Sequence, residues 1–118
     1  MKTLLVVSRI QAKVADLIEE RGLYKNSNAP DVDAIHLNTC PLCVLAAFNV
    51  AAGGEINGEL TDSAYTAARA FADWLGVDPV ADLYVALGEQ WNDRPEQTQS
   101  NVVQMLRRCS AELARAGR

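Results

Sequence analysis

The chain is short of several things at once. It has two Trp, three Tyr and two Phe in 118 residues, so each aromatic ring is expected to matter to packing. It has one histidine, His36. No Ser-His-Asp set has a local signature, and neither G-x-x-x-x-G-K-[ST] nor G-x-G-x-x-G occurs, which removes the common hydrolase and nucleotide-binding motifs. No apolar run approaches the ~20 residues that span a bilayer, so a membrane-spanning helix is not expected. Cations are outnumbered, Lys+Arg 11 against Asp+Glu 15, for a net charge of −4. A nucleic-acid partner is therefore not expected, because phosphate is held by clustered cations. Three cysteines are an odd number for a secreted disulfide framework and fit reduced thiols in the cytoplasm. The apolar stretch Leu4 to Val7 is too short for the roughly 7–15 residues of a signal sequence, so the N-terminus reads as mature protein.

What remains is a chain of ordinary globular composition, 49% hydrophobic and 22% charged. There is no repeat, low-complexity tract or long linker, and the expectation is one domain over 1–118 with a radius of gyration of roughly 13–14 Å. Ser8 and Gln11 have the spacing of a capping box. Ile10, Val14, Leu17 and Ile18 then follow a 3.6 period, and Gly22 supplies a stop, which predicts a helix over about 9–21. Residues 1–7 are an arm or an extension of it. Residues 25–38 read as loop, closing on Asn38 or Thr39 as a cap. The second helix carries Leu42, Cys43, Leu45, Ala46, Ala47 and Val50, is apolar nearly all round and stops at Gly53-Gly54; such a helix is central.

Thr61 caps a third helix with the stripe Tyr65, Ala68, Phe71, Ala72 and Leu75, closed by Gly76. Asp78-Pro79 opens a fourth with Val80, Leu83, Tyr84, Leu87 and Trp91. Thr98, or Asp93 with Glu96, caps a fifth with Val102, Leu106, Cys109 and Leu113 on one line. Arg107, Arg108 and Arg115 lie toward its end, where the helix dipole favours cations. Five short amphipathic helices predict a compact all-α bundle.

Two constellations carry chemistry. In His36-x3-Cys40-x2-Cys43, an imidazole and two thiolates have spacing suited to zinc, with Cys109 as a fourth ligand. Over about eight residues the string resembles the zinc-binding anti-sigma family. Cys40 and Cys43 are also a C-x-x-C pair, and a thiol at a helix N-terminus has its pKa lowered, which would suit redox work. The plainer reading makes Cys43 core and Cys40 a semi-exposed thiol near a cap; a cysteine on an apolar stripe, such as Cys109, is usually a small buried hydrophobe. The second constellation is Trp91-Asn92-Asp93. Asp93 there is a general base or a ligand-binding carboxylate in a pocket walled by Trp91, or, more plainly, Trp91 buries a helix end, Asn92 forms a left-handed cap and Asp93 or Thr98 caps the next helix.

The landmarks together resemble a family. Ala15-Asp16-Leu17-Ile18, Gly22-Leu23-Tyr24, Cys43-Val44-Leu45-Ala46-Ala47-Phe48, Ala72-Asp73-Trp74-Leu75-Gly76, Trp91-Asn92-Asp93 with Thr98, and Val102-Val103 are similar to the small bacterial and phage proteins of the domain of unknown function 6197 family, over about residues 8–115. In that pattern the cysteine matching Cys43 recurs, with no partner matching Cys40 or His36. Leu23-Tyr24 stands where the family often has tryptophan, and Ala46 where it often has glycine. The resemblance implies the fold and a bacterial or phage setting rather than a chemistry. The function expected is therefore a non-catalytic helical protein without a cofactor. It would act on a protein partner or on a second copy of itself, through the outside of the second helix, Trp74 or the Trp91-Asn92-Asp93 corner. The alternatives are a zinc or thiol-redox module and a small-molecule pocket at Trp91 and Asp93.

Overall fold

The fold is that of a computed structural model, which describes residues 6–26, 30, 39–77 and 81–118. The arm before Val6, most of the 25–38 loop with His36 and Asn38, and the Asp78-Pro79-Val80 opening lie outside those residues. Five helices are found among the described residues: α1 (Val7–Arg21), α2 (Val44–Ala51), α3 (Asp62–Leu75), the π-helix π1 (Tyr84–Asn92) and α4 (Gln99–Arg115). No strand forms among them. A lone parallel bridge joins Leu23 to Leu42, made by Tyr24 N–H to Leu42 O at 2.9 Å and Leu42 N–H to Gly22 O at 3.0 Å. The architecture is the all-α domain expected, with a radius of gyration of 13.3 Å.

α1 lies along α4 and also meets α2 and α3. The predicted line of α4 is its buried face: Val102, Leu106, Cys109 and Leu113 are all inside, as are Val14, Ala15 and Ile18 of α1, the helix along which α4 lies. The beginning of α1 differs from expectation. The helix starts at Val7, Val6 gives it no side-chain cap, and Ser8 and Gln11 do not form a capping box. Both are buried and bond to distant backbone: Ser8 Oγ donates to Arg118 O at 2.7 Å and Gln11 Nε2 to Ala67 O at 3.2 Å. That second bond reaches the backbone of α3 because its inner face is small: Ala64, Ala67, Ala68 and Ala72 are fully buried. α1 ends at Gly22, with φ 100° and ψ 160°. This is a region that essentially only glycine occupies.

α2 is enclosed on nearly all sides, with Val44, Leu45, Ala46, Ala47, Phe48, Asn49 and Ala51 buried. Its cap is Cys43, whose sulfur accepts from Ala46 N–H at 3.3 Å, so Thr39 does not cap it. Leu42 lies before the helix, in the bridge. Thr61 and Thr98 cap α3 and α4 through Ala64 N–H and Asn101 N–H, each at 3.1 Å, and Gly76 closes α3 in the left-handed region at φ 76°. Phe71 is the hub of the aromatic packing. It sits 6.0 Å from Phe48, edge-on to Trp91 at 5.3 Å and stacked on Trp74 at 6.3 Å, contacts that favour offset or T-shaped rings.

The fourth helix is wound with wider turns than an α-helix: Asp93 N–H bonds Gly88 O at 2.9 Å, five residues back. Such π-turns are rare and frequently accompany functional sites. Leu83, Leu87 and Trp91 are buried as expected, whereas Tyr84 is 49% exposed. Likewise Tyr65 of the α3 stripe is 51% exposed.

Candidate functional site

Two buried asparagines shape the end of the molecule around α2 and π1. Asn92 is fully buried and does not take the left-handed conformation expected of a cap, since Asn26 is the one non-glycine residue with positive φ among those described. Its Oδ1 accepts from Val44 N–H at 2.9 Å, which satisfies an orphan donor of the first turn of α2. Its Nδ2 donates to Tyr24 O and to Asp93 Oδ1, both at 2.9 Å. Asp93 Oδ1 also accepts from Asn26 N–H at 2.9 Å, so Asp93 ties the corner and leaves the capping of α4 to Thr98. Trp91 is buried, with its carbonyl bonded to Gln97 Nε2 at 3.2 Å.

Asn49 plays the same part at the other end of α2. Its Nδ2 donates to Glu55 O at 2.7 Å and Glu59 O at 3.1 Å, and its Oδ1 accepts from Thr61 N–H at 3.0 Å. It thereby holds the turn that delivers the cap of α3. A Cβ at Gly54 would lie 2.5 Å from Asn49 Oδ1; the predicted helix stop is also the space that this amide needs.

The cysteines are separated in role. Cys40, Cys43 and Cys109 are all buried and none is in a disulfide; Cys40 is thus an inside thiol rather than a semi-exposed one. Arg21 Nε donates to Cys40 O at 2.8 Å, and Arg21 Nη2 lies 3.6 Å from Cys40 Sγ. Burial pushes the Cys43 thiol above its ordinary value, and the Asp93 carboxylate adds to this; the N–H groups of Ala46 and Leu45 pull it back in part. The cap therefore holds a protonated thiol. Cys109 sits in the α1–α4 core beside Gln11, and burial raises its pKa to about 11. Among the described residues no three His, Cys, Asp or Glu side chains are grouped to hold a metal ion. His36 lies outside the described residues.

The open surface is elsewhere. Tyr65 and Tyr84 are the large hydrophobic residues left exposed among those described, and both line one hollow of about 410 Å³ with Glu59, Leu60, Asp82 and Leu83. Tyr84 also lines an adjoining hollow of about 160 Å³ with Asn26, Cys43, Leu45, Gly88, Glu89 and Asp93. The two share the ring at the start of π1. Asp82 Oδ1 accepts from Tyr84 N–H at 2.8 Å, an Asx turn that sets the ring's position. Among the described residues neither hollow has a lysine or arginine in its lining. Arg69, which reaches Ala81 O at 3.5 Å, has its guanidinium on Asp73 at 3.2 Å.

Of the site residues expected, Asp93 lines this surface. Trp91 and Asn92 lie beneath it, and Trp74 is half-buried on Phe71, with its Nε1–H bonded to the Glu112 carboxylate. α2 has almost no free face with which to meet a second copy. Sequence reasoning passed over Tyr65, Tyr84, Glu59, Asp82 and Glu89, yet a signal was present. Residues 26–93 carry ten Asp or Glu and a single Lys or Arg, Arg69, whereas the rest of the chain carries five and ten. The middle of the chain is where the exposed tyrosines stand.

Among curated proteins and among solved structures, nothing matches this chain. A family model does match, over residues 3–112 of the 118. That span takes in both blocks on which the resemblance stood, Cys43 to Ala47 and Trp91 to Thr98, and the chain belongs to the family of unknown function DUF6197.

Proposed function

We propose that this protein is a non-catalytic binding module of the bacterial cytoplasm, from a host or a phage genome, and that a partner protein seats on the face bearing Tyr65 and Tyr84. The observation that carries the reading is the exposure of those two rings, 51% and 49%, in a chain whose tryptophans and phenylalanines are packed inward. Tyrosine is enriched where interfaces concentrate their binding energy, because it brings a large rigid surface and a polar end. The sulfur next to this face is used as a helix cap, accepting from Ala46 N–H at 3.3 Å, which supports a structural part for Cys43. Three thiols outside disulfides accord with a reducing compartment.

The test is site-specific photo-crosslinking in cytosol. Benzoylphenylalanine in place of Tyr84 should trap a protein adduct. The same group in place of Gln104, which lines the groove between α1 and α4, should not. Equal adducts from both positions, or none from position 84, would defeat the proposal. An adduct of twice the monomer mass would make the partner a second copy.

A further inference from the structure

We infer that the partner presents a basic segment to this face, with arginine side chains entering the two hollows on either side of Tyr84. The inference rests on the binding-module reading above and adds the chemistry of the occupant. Each hollow combines tyrosine, leucine and two carboxylates: Tyr65, Tyr84, Leu60, Leu83, Glu59 and Asp82 in the larger, Tyr84, Leu45, Glu89 and Asp93 in the smaller. Among the described residues, none of these four carboxylates is in an ion pair. On the α1–α4 surface, by contrast, Arg107 spans Asp16 at 3.0 Å and also pairs with Glu19. Between residues 26 and 93 there are ten acids and one base, Arg69, and Arg69 is paired with Asp73; Lys25, next to the smaller hollow, spends its ammonium on Arg94 O at 2.6 Å.

Leu83 is buried and forms a floor, and the tyrosine rings form half-exposed walls. An anionic or purely apolar occupant would leave the carboxylates desolvated without a partner, which costs free energy. A guanidinium suits the lining better than an ammonium. It is planar, less strongly hydrated, stacks on aromatic faces and bonds carboxylates with two parallel N–H groups. Two hollows sharing one ring call for an occupant that reaches both, which a chain segment with two cationic side chains does and a small cation does not. Complementary charge would also steer the encounter and make it salt-dependent.

The probe is a fluorescein-labelled peptide of alternating arginine and alanine, followed by anisotropy on the full chain. The comparison ligands are its lysine analogue, its glutamate analogue and unlabelled arginine amide. The arginine peptide should bind, severalfold tighter than the lysine analogue, and binding should weaken as salt rises from about 0.05 to about 0.5 M. The double variant Glu59→Lys, Glu89→Lys should weaken it at least tenfold, and Tyr84→Ser severalfold. Glu20→Lys, on exposed α1 surface, should leave it unchanged. All these positions are exposed, and circular dichroism will report whether each variant keeps its helices.

The inference is overturned by no binding, by equal binding of the lysine or glutamate analogue, or by no loss in the double variant. It is equally overturned by the same loss in Glu20→Lys, or by displacement with arginine amide at the peptide's own concentration. The two proposals fail separately. If the adduct from position 84 forms but excess arginine peptide does not block it, the module stands and the basic partner is wrong; if no adduct forms there, the module itself is wrong.

Discussion

The side of the molecule built from α1 and α4 and the side built from the middle of the chain share one hydrophobic core but finish their surfaces differently. On the α1–α4 side, acids and bases interleave and meet each other, as Arg107 does with Asp16 and Glu19, and the groove there is lined by Gln99, Ser100, Gln104 and an already paired Arg107 and Glu19. On the middle side, acids and half-exposed tyrosines surround two hollows without a base among the described lining residues. A surface that satisfies its own charges gains nothing from a partner's charges. One that leaves carboxylates beside aromatic rings keeps that interaction open, and this contrast places the binding face.

The comparison can be broken or sharpened in several ways. The largest effect is expected beneath both sides, at the shared hub. Phe71→Ala removes a ring packed on Phe48, Trp74 and Trp91 and should cost about 3–5 kcal/mol in urea unfolding, a large share of a typical domain's stability. Next comes the clasp under the open face. Asn92→Ala strands the buried Val44 N–H and Tyr24 C=O and should cost about 2–4 kcal/mol. Loss of the tyrosine-face adduct in this variant, with the fold retained at low temperature, would show that the clasp positions the face.

The buried thiols predict a pH effect confined to alkaline solution. Folded Cys109 keeps its proton up to about pH 11, whereas an ordinary thiol releases it near 9.0. The unfolded chain therefore binds fewer protons over that interval, and stability falls as pH rises from about 9 to about 11. The loss amounts to about 2–3 kcal/mol, with no slope from this group below it. Cys109→Ala should flatten most of that fall. Cys43, raised in the same sense, should leave a remainder.

Smaller still is Arg107→Ala. Its ion pairs are solvent-exposed, so the cost should be at most about 1 kcal/mol and should fade in high salt. A loss well above that would mean that the closed side depends on its charges more than on its apolar seam. The smallest change in stability is expected for Tyr65→Ser and Tyr84→Ser, within about 0.5 kcal/mol, because half-exposed side chains lose little on truncation. Tyr65→Ser should also abolish the adduct formed from position 84, and destabilisation with that adduct intact would reverse the assignment of that face.

Much of the scaffold was legible along the chain. Thr61, Thr98, Gly22 and Gly76 sit where caps and stops were expected, because a helix end is a local problem of a few unpaired N–H and C=O groups. The buried lines Val102–Leu106–Cys109–Leu113 and Leu83–Leu87–Trp91 follow from period alone. The misreadings have a common origin. Ser8 and Gln11 have capping spacing but are drawn inside to partners 110 and 56 residues away. Asn92 has the composition of a turn residue but becomes an interior clasp. Cys43, not among the usual capping residues, caps α2. Tyr65 and Tyr84 fall on apolar stripes, yet both are about half exposed.

Residue order alone determined which segments wind into helices, where most of them stop, which faces are greasy and how acid is concentrated in the middle of the chain; these depend on neighbours within a turn or two and on simple counting. Only the folded arrangement decided which polar groups find distant partners, and which two aromatic rings are left half-exposed. Burial of a side chain is a property of what packs against it, and that neighbour here comes from far along the chain.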